Sequence, residues 1–317
     1  PNLYTIRGTT HRDVMGWVSS LDHMRSYNPE YIFPSHTKPI IGSEEAMNAL
    51  TVYRDAIQYV HDQTIRLMNE GYYPDQIIEM VDLPTSIKSS PFLSEFYGTV
   101  RWSVKSIFNG YLGWFNGNPA DLDPLSRKTE AQKLAKLVGG EQLLFEALKK
   151  SVTDDDMQWA LQLSDKLLAL EYSVDEVNKL RQEALIYIGL RASNPNKRNY
   201  FLSSAMELDD SFDGYPEPER TEEGVREISI DTLLSILSVR LNPNKVIDQN
   251  IRVCFLFSSG LTRSISIRNQ VASVSSRIDI PCDITVQTSE HNFKMALSGL
   301  LNPVMAIATG EIVVDGG

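Results

Sequence analysis

Arg7 and His11 stand four residues apart, just after a short apolar run, Asn2-Leu3-Tyr4-Thr5-Ile6. An arginine suits a planar oxyanion, which it grips with two parallel hydrogen bonds. A histidine suits proton donation to a leaving group near neutral pH. A third candidate is His36, in the loop Ser35-His36-Thr37-Lys38 between a short apolar run and a long amphipathic segment. Loops at strand ends are where α/β proteins bind ligands and metals. Each of the three also has a plain reading, as an exposed surface side chain. The remaining histidines are less promising. His23 and His291 read as solvated helix-face residues, and His61 shares a face with Ile57 and Ile65 and reads as packing. No two histidines have close metal-binding spacing, and no H-x-H-x-D-H or H-E-x-x-H string is present. There is no G-x-S-x-G, P-loop or G-x-G-x-x-G either. Cys254 and Cys282 fall on separate expected strands with opposite facing, so a bridge between them is not expected.

The elements that must position these residues follow from periodicity. Residues 1–42 read as strand, helix, strand and loop, like the tail of an α/β domain. Val14, Trp17, Val18 and Leu21 predict a helix from about Arg12 to Arg25, and Tyr31-Ile32-Phe33 a short strand. About 40 residues alone cannot bury a core. Residues 43–190 read as helical. Ser43 is the expected N-cap, and Leu50, Tyr53, Ile57, Val60, Thr64 and Leu67 form an amphipathic stripe. Helices are predicted over about Asp75–Met80 and Pro91–Leu112. The second of these would carry Phe92, Phe96, Val100, Val104, Ile107 and Tyr111 on one face. Two more are expected near Met157–Leu170 and Val174–Gly189. Residues 205–227 hold nine acidic residues against Arg220 and Arg226, with two glycines and two prolines, and read as a solvated linker. Residues 228–317 read as α+β. A helix at Asp231–Leu241 precedes strands at Ile251–Phe257 and Leu261–Arg268. A further strand carries Cys282, Ile284 and Val286. A Ser289-capped helix, a short helix at Pro303–Thr309 and a last strand at Glu311–Val314 complete the segment. The whole is an α+β multidomain chain.

Its 317 residues contain 42% apolar and 22% charged side chains, ordinary for a globular protein. With 30 Lys plus Arg against 41 Asp plus Glu, the formal charge is −11. That argues against nucleic acid, which needs a basic footprint, and against basic docking on anionic lipid. No apolar run reaches the length of a membrane span. Two cysteines exclude a disulfide framework and a cysteine-based zinc module. The chain opens at Pro1 in what reads as mid-domain sequence, which suggests a piece of something longer.

Several strings, in order, resemble the C-terminal part of the metallo-β-lactamase-type alkylsulfatases. They are Asn2-Leu3-Tyr4-Thr5-Ile6-Arg7-Gly8, Tyr53-Arg54-Asp55-Ala56-Ile57, His61-Asp62-Gln63-Thr64 and Phe96-Tyr97-Gly98-Thr99-Val100. The most specific is Tyr111-Leu112-Gly113-Trp114-Phe115-Asn116-Gly117-Asn118-Pro119-Ala120, and Arg198-Asn199-Tyr200-Phe201-Leu202-Ser203-Ser204 continues the likeness. The resemblance implies the end of a metallo-β-lactamase domain at 1–42, a helical dimerisation domain at 43–204 and a sterol-carrier-like, alkyl-chain-binding domain at 228–317. It implies a homodimer acting on alkyl sulfates or other long-chain amphiphiles, with two zinc ions in the full-length parent, and a periplasmic or secreted location. His36 would match the last zinc-ligand histidine, Arg7 the sulfate-binding arginine and His11 the general acid. The other zinc ligands have no counterpart here, so the chain alone is expected to be inactive. A non-catalytic dimeric lipid-binding module and a related hydrolase on another ester are the alternatives. The stripe Leu50–Leu67 and the aromatics Phe108, Tyr111, Trp114 and Phe115 are expected to form the dimer face.

Overall fold

A computed structural model describes every residue except Pro1, Asn2, Tyr4, Thr5, Arg7, Thr9, Asp279 and Gly317. The expected strand at Asn2–Ile6 therefore lies largely outside the described residues. The chain divides into two compact units, residues 1–214 and 215–317, and the division falls within the acidic segment.

In the first unit, helix α1 (Val14–Ser26) is capped by Asp13, whose carboxylate accepts from the Gly16 amide. Strands β1 (Tyr31–Ile32) and β2 (Ile40–Ile41) pair antiparallel, Tyr31 with Ile41, and hold the His36 loop between them. Helix α2 (Ser43–Asn69) follows, with Gly42 at the N-cap and Ser43 as its first residue, so it begins one position earlier than expected. Next come α3 (Pro74–Met80), α4 (Thr85–Lys88) and α5 (Val100–Leu112).

The predicted helix over Pro91–Leu112 is broken. Pro91–Leu93 makes one 3-10 turn, and α5 starts only at Val100. The break has a structural cause. The Thr99 hydroxyl caps the Trp102 amide, and the Glu95 carboxylate takes the Val100 amide at 2.8 Å. Asn194 and Asn196 donate to the Glu95 and Tyr97 carbonyls, which a continued helix would have used internally. Phe96 consequently lies exposed rather than on the buried face.

The stripe of α2 is buried within this unit. Leu50, Ile57, Val60 and Leu67 pack with Leu3, Val14, Val18 and Leu21, with Ile77 and Ile78 of α3, and with Val104, Ile107 and Phe108 of α5. The expectation that the stripe forms a dimer face is thus overturned: a 27-residue helix between three neighbours has no apolar side left over. Phe108 is buried too, whereas Tyr111 and Trp114 are 53% and 73% exposed.

A second core forms from α6 (Arg127–Val138), α7 (Glu141–Thr153), α8 (Met157–Ala169), α9 (Val174–Arg191) and α10 (Pro195–Met206). Leu144, Leu148, Leu163, Leu167, Val177 and Leu185 lie at its centre. The paired helices near 157–170 and 174–189 stand as read.

The second unit begins with α11 (Glu222–Arg226) and α12 (Ile230–Val239). Its strands are β3 (Ile251–Phe257), β4 (Thr262–Arg268), β5 (Val271–Ser275) and β6 (Ile284–Thr288). Helices α13 (Glu290–Ser298, capped by Ser289) and α14 (Pro303–Ala308) precede β7 (Ile312–Asp315). The sheet order is β5-β4-β3-β6-β7, with β3 and β6 parallel and the other pairs antiparallel. One face is apolar: Phe255, Phe257 and Ile265 pack against Ile230 and Leu234 of α12 and Phe293 of α13.

Sequence reasoning missed β5, whose exposed and half-buried residues alternate without a strong apolar signal. It also misjudged the cysteines. Cys254 and Cys282 form a disulfide, their Cα atoms 5.9 Å apart. Cys254 points away from the apolar face as expected, but β6 begins at Ile284, so the alternation assumed for Cys282 does not hold. The strand start is fixed by Asp283, whose carboxylate accepts from the Arg252 amide at 2.7 Å. Outside the ladder, Cys282 is free to turn its sulfur to the far face.

Candidate functional site

His11 sits between the chain's start and α1, with its ring laid against α5. Its Nδ1 is 3.4 Å from the Ser106 hydroxyl. The ring lies so close over Gly110 that a Cβ there would stand 2.3 Å from Cε1 and Nε2. Tyr111, one residue on, meets the His11 ring edge-on, with centroids 6.5 Å apart and planes at 65°. If Ser106 donates to Nδ1, the proton of neutral His11 resides on Nε2, the tautomer able to donate from that side.

Beside His11 opens a hollow of about 410 Å³, lined by Ile6, Trp102, Lys105, Ser106, Asn109 and Gly110. These lining residues, with His11, include one imidazole and one ammonium and no carboxylate. Lys105 makes no hydrogen bond or ion pair among the described residues. A hollow so furnished suits an anionic group with an apolar wall from Trp102 and Ile6. Lys105 and Asn109 also border a second hollow of about 510 Å³, whose lining includes Asp75, Glu79, Arg101, Asn116, Asn118 and Asp121.

Those asparagines belong to the Asn-Gly-Asn-Pro string after α5. Asn116 and Asn118 both donate to the Asp121 carboxylate, and the Asn118 amide returns to Asn116 Oδ1. Gly117 has φ +94°, a left-handed conformation in which an L side chain is strained. The string is therefore a self-bonded turn that fixes how the chain leaves α5.

His61 is buried, as read, but it is more than packing. Its Nδ1 lies 2.8 Å from Asp62 Oδ1, and its Nε2 2.8 Å from the Tyr111 hydroxyl. Gln58 donates to the other Asp62 oxygen. Sequence reasoning missed this set because the partner of His61 lies 50 residues away on α5. His23 is exposed and bonded to the Tyr27 hydroxyl, and His291 is exposed, both as expected.

His36 is exposed in the β1–β2 loop, its ring stacked near Tyr97 at 6.3 Å. Arg7 lies outside the described residues, so the arrangement of Arg7 with His11 is not described. Among the described residues no three His, Cys, Asp or Glu side chains gather into a metal-binding group. The residues present therefore do not fit a zinc ion by themselves, since a zinc site takes three or four donors.

Residues 73–211 match the family described as Alkyl sulfatase dimerisation. The chain is 32% identical over 327 residues to a linear primary-alkylsulfatase of Pseudomonas sp., a match covering 100% of this chain and 62% of that protein. It is 26% identical to the Alkyl/aryl-sulfatase BDS1 of Saccharomyces cerevisiae, covering 99% of this chain and 49% of the relative. The stereoselective inverting sec-alkylsulfatase Pisa1 from Pseudomonas sp. superposes with a TM-score of 0.90 at 24% identity, over 100% of this chain and 51% of that one. At that identity the likeness speaks for the fold. The chain thus spans about half to three fifths of the length of the proteins it matches. Along its whole length the chain is similar to part of the alkylsulfatases, and its residues 73–211 match the alkyl sulfatase dimerisation family.

Proposed function

We propose that the chain is part of a zinc-dependent alkylsulfatase that splits alkyl sulfate esters into alcohol and sulfate. One observation carries the reading: a 32% identical match to a linear primary-alkylsulfatase along the whole chain. The hollow beside His11 supports it, because an imidazole and an ammonium without a carboxylate favour a sulfate head group. His11 is assigned the proton delivered to the departing oxygen, and Arg7 the sulfate oxygens. His36 is assigned as one zinc ligand. One donor does not hold two metal ions, so the roles assigned within this chain stop at His11, Arg7 and the hollow, and the chain alone is inactive.

Residues 1–42 are assigned to the end of a metallo-β-lactamase-like catalytic domain, 43–204 to homodimer formation, 205–227 to a linker and 228–317 to a sterol-carrier-like domain that binds the alkyl chain. Leu300, Val304, Met305 and Ile307, exposed around α14, are an apolar surface suited to such a chain. The Cys254–Cys282 bridge favours an oxidising compartment, in keeping with a periplasmic or secreted parent. No described helix is long and apolar enough to cross a membrane.

The test is turnover by the longer, zinc-loaded protein offered dodecyl sulfate beside a phosphate and a carboxylate ester of the same chain length. Release of sulfate, with the other esters left intact, supports the reading. Turnover of another ester alone moves the protein to a related hydrolase.

A further inference from the structure

We propose that Asp62, His61 and Tyr111 form a hydrogen-bonded chain whose role is to position His11. The proposal rests on the reading of His11 as the acid, and identifies what holds that acid in place.

His61 is 8% exposed and stands in the apolar stripe of α2, between Ile57, Val60 and Thr64. An imidazole buried there costs free energy unless both ring nitrogens are bonded, and an apolar side chain would fill the place without that cost. Both nitrogens are bonded. The Asp62 carboxylate can only accept, so it fixes the proton of neutral His61 on Nδ1. Nε2 is then the lone-pair side, and the Tyr111 hydroxyl donates to it. Asp62 is itself held by Gln58. The direction of every bond in the chain is therefore determined by its first member.

The far end of the chain is Tyr111, in the last turn of α5. A half-exposed tyrosine at a helix end would be free to swing. Here the hydroxyl is tied to α2, so the ring stands tilted against His61 at 5.7 Å and edge-on to His11 at 6.5 Å. The neighbouring Gly110 forms the floor beneath the His11 ring, and Ser106, one turn earlier, meets its Nδ1. Three residues of the second half of α5 thus meet His11, and the one with a movable ring is the one that is pinned. An imidazole held this way loses little on reaching a reactive geometry, which is the condition for efficient proton delivery.

The test uses the imidazole ¹⁵N and ¹H resonances of His11 in the 317-residue chain. Tyr111→Phe keeps the ring and removes the hydroxyl. It is expected to shift or broaden the His11 signals while leaving backbone amides beyond α2 and α5 in place. His61→Leu is expected to do the same. His61→Gln, whose amide oxygen can still accept from Tyr111, recovers most of the lost signal, an outcome a merely space-filling role would not give. In the longer zinc-loaded enzyme, Tyr111→Phe lowers kcat on dodecyl sulfate on the order of tenfold, with KM changed less than about twofold. His11 signals unmoved in both Tyr111→Phe and His61→Leu overturn the proposal. If the unaltered longer enzyme leaves dodecyl sulfate intact, the sulfatase reading falls, and the His11 signals still decide the positioning role separately.

Discussion

At Gly110 the two usual consequences of a glycine-to-alanine change come apart. In a helix interior alanine is favoured over glycine by about 0.5–1 kcal/mol. The added Cβ, however, would stand 2.3 Å from the His11 ring, which is the movable end of a side chain and must shift. Gly110→Ala is therefore expected to leave the melting temperature unchanged or raised, while kcat of the longer enzyme falls on the order of a hundredfold. Thermal unfolding followed by circular dichroism, beside steady-state kinetics, checks both halves. At this scale the sequence was only partly legible. His11 was singled out from its type and its spacing to Arg7, and it does lie at a hollow. Ser106, Gly110, Tyr111 and His61 were not connected to it, because their meeting depends on α5 packing against both His11 and α2. No local spacing carries that information. The role of His61 as packing was half right: the apolar stripe announced its burial, but not its partner 50 residues away.

The helices and strands with strong periodicity lie close to where the pattern puts them, as α8, α9, β3 and α13 illustrate. One failure arises where side chains compete with the backbone. The helix expected from Pro91 starts at Val100 because Thr99, Glu95 and Asn194 take up the backbone groups around the break. Core energetics belong to this scale. Leu167 of α8 is fully buried among α7, α9 and α10. Leu167→Ala is expected to cost about 2–5 kcal/mol by denaturant titration. The Cys254–Cys282 bridge closes a loop with a sequence separation of 28. In the chain-entropy account its loss costs roughly 3–4 kcal/mol, so dithiothreitol should lower the melting temperature of the second unit and leave that of the first unchanged. A smaller effect is expected at the α12–β4 contact. Arg263 donates two hydrogen bonds to Asp231, and these hold the carboxyl below its usual range. A lowered folded value means stability present above the unfolded carboxyl's range and lost as pH falls through the folded one. The pair is largely solvated, so Asp231→Asn should cost no more than about 1 kcal/mol near neutrality. The difference from the unaltered chain should vanish in strong acid.

The whole molecule is two compact units with separate cores, joined through an acidic segment whose composition marked it as a boundary. Net charge, and the lack of a membrane-crossing helix among the described residues, bounded the function classes, but they did not point to a reaction. That came from strings of residues shared with alkylsulfatases, and from the hollow beside His11. The α2 stripe offered as a dimer face proved to be internal. Self-association now rests on the dimerisation family matched at residues 73–211 and on exposed aromatics such as Trp114. Light scattering on the 317-residue chain is expected to give about twice 35.7 kDa, and the mass of a single chain would contradict a homodimer. The most direct test of the account as a whole is sulfate release from dodecyl sulfate by the longer, zinc-loaded protein, measured beside its His11→Ala variant. The account predicts steady release by the unaltered protein and a loss on the order of a hundredfold or more in the variant. Equal rates in the two, or no release by either, would contradict it.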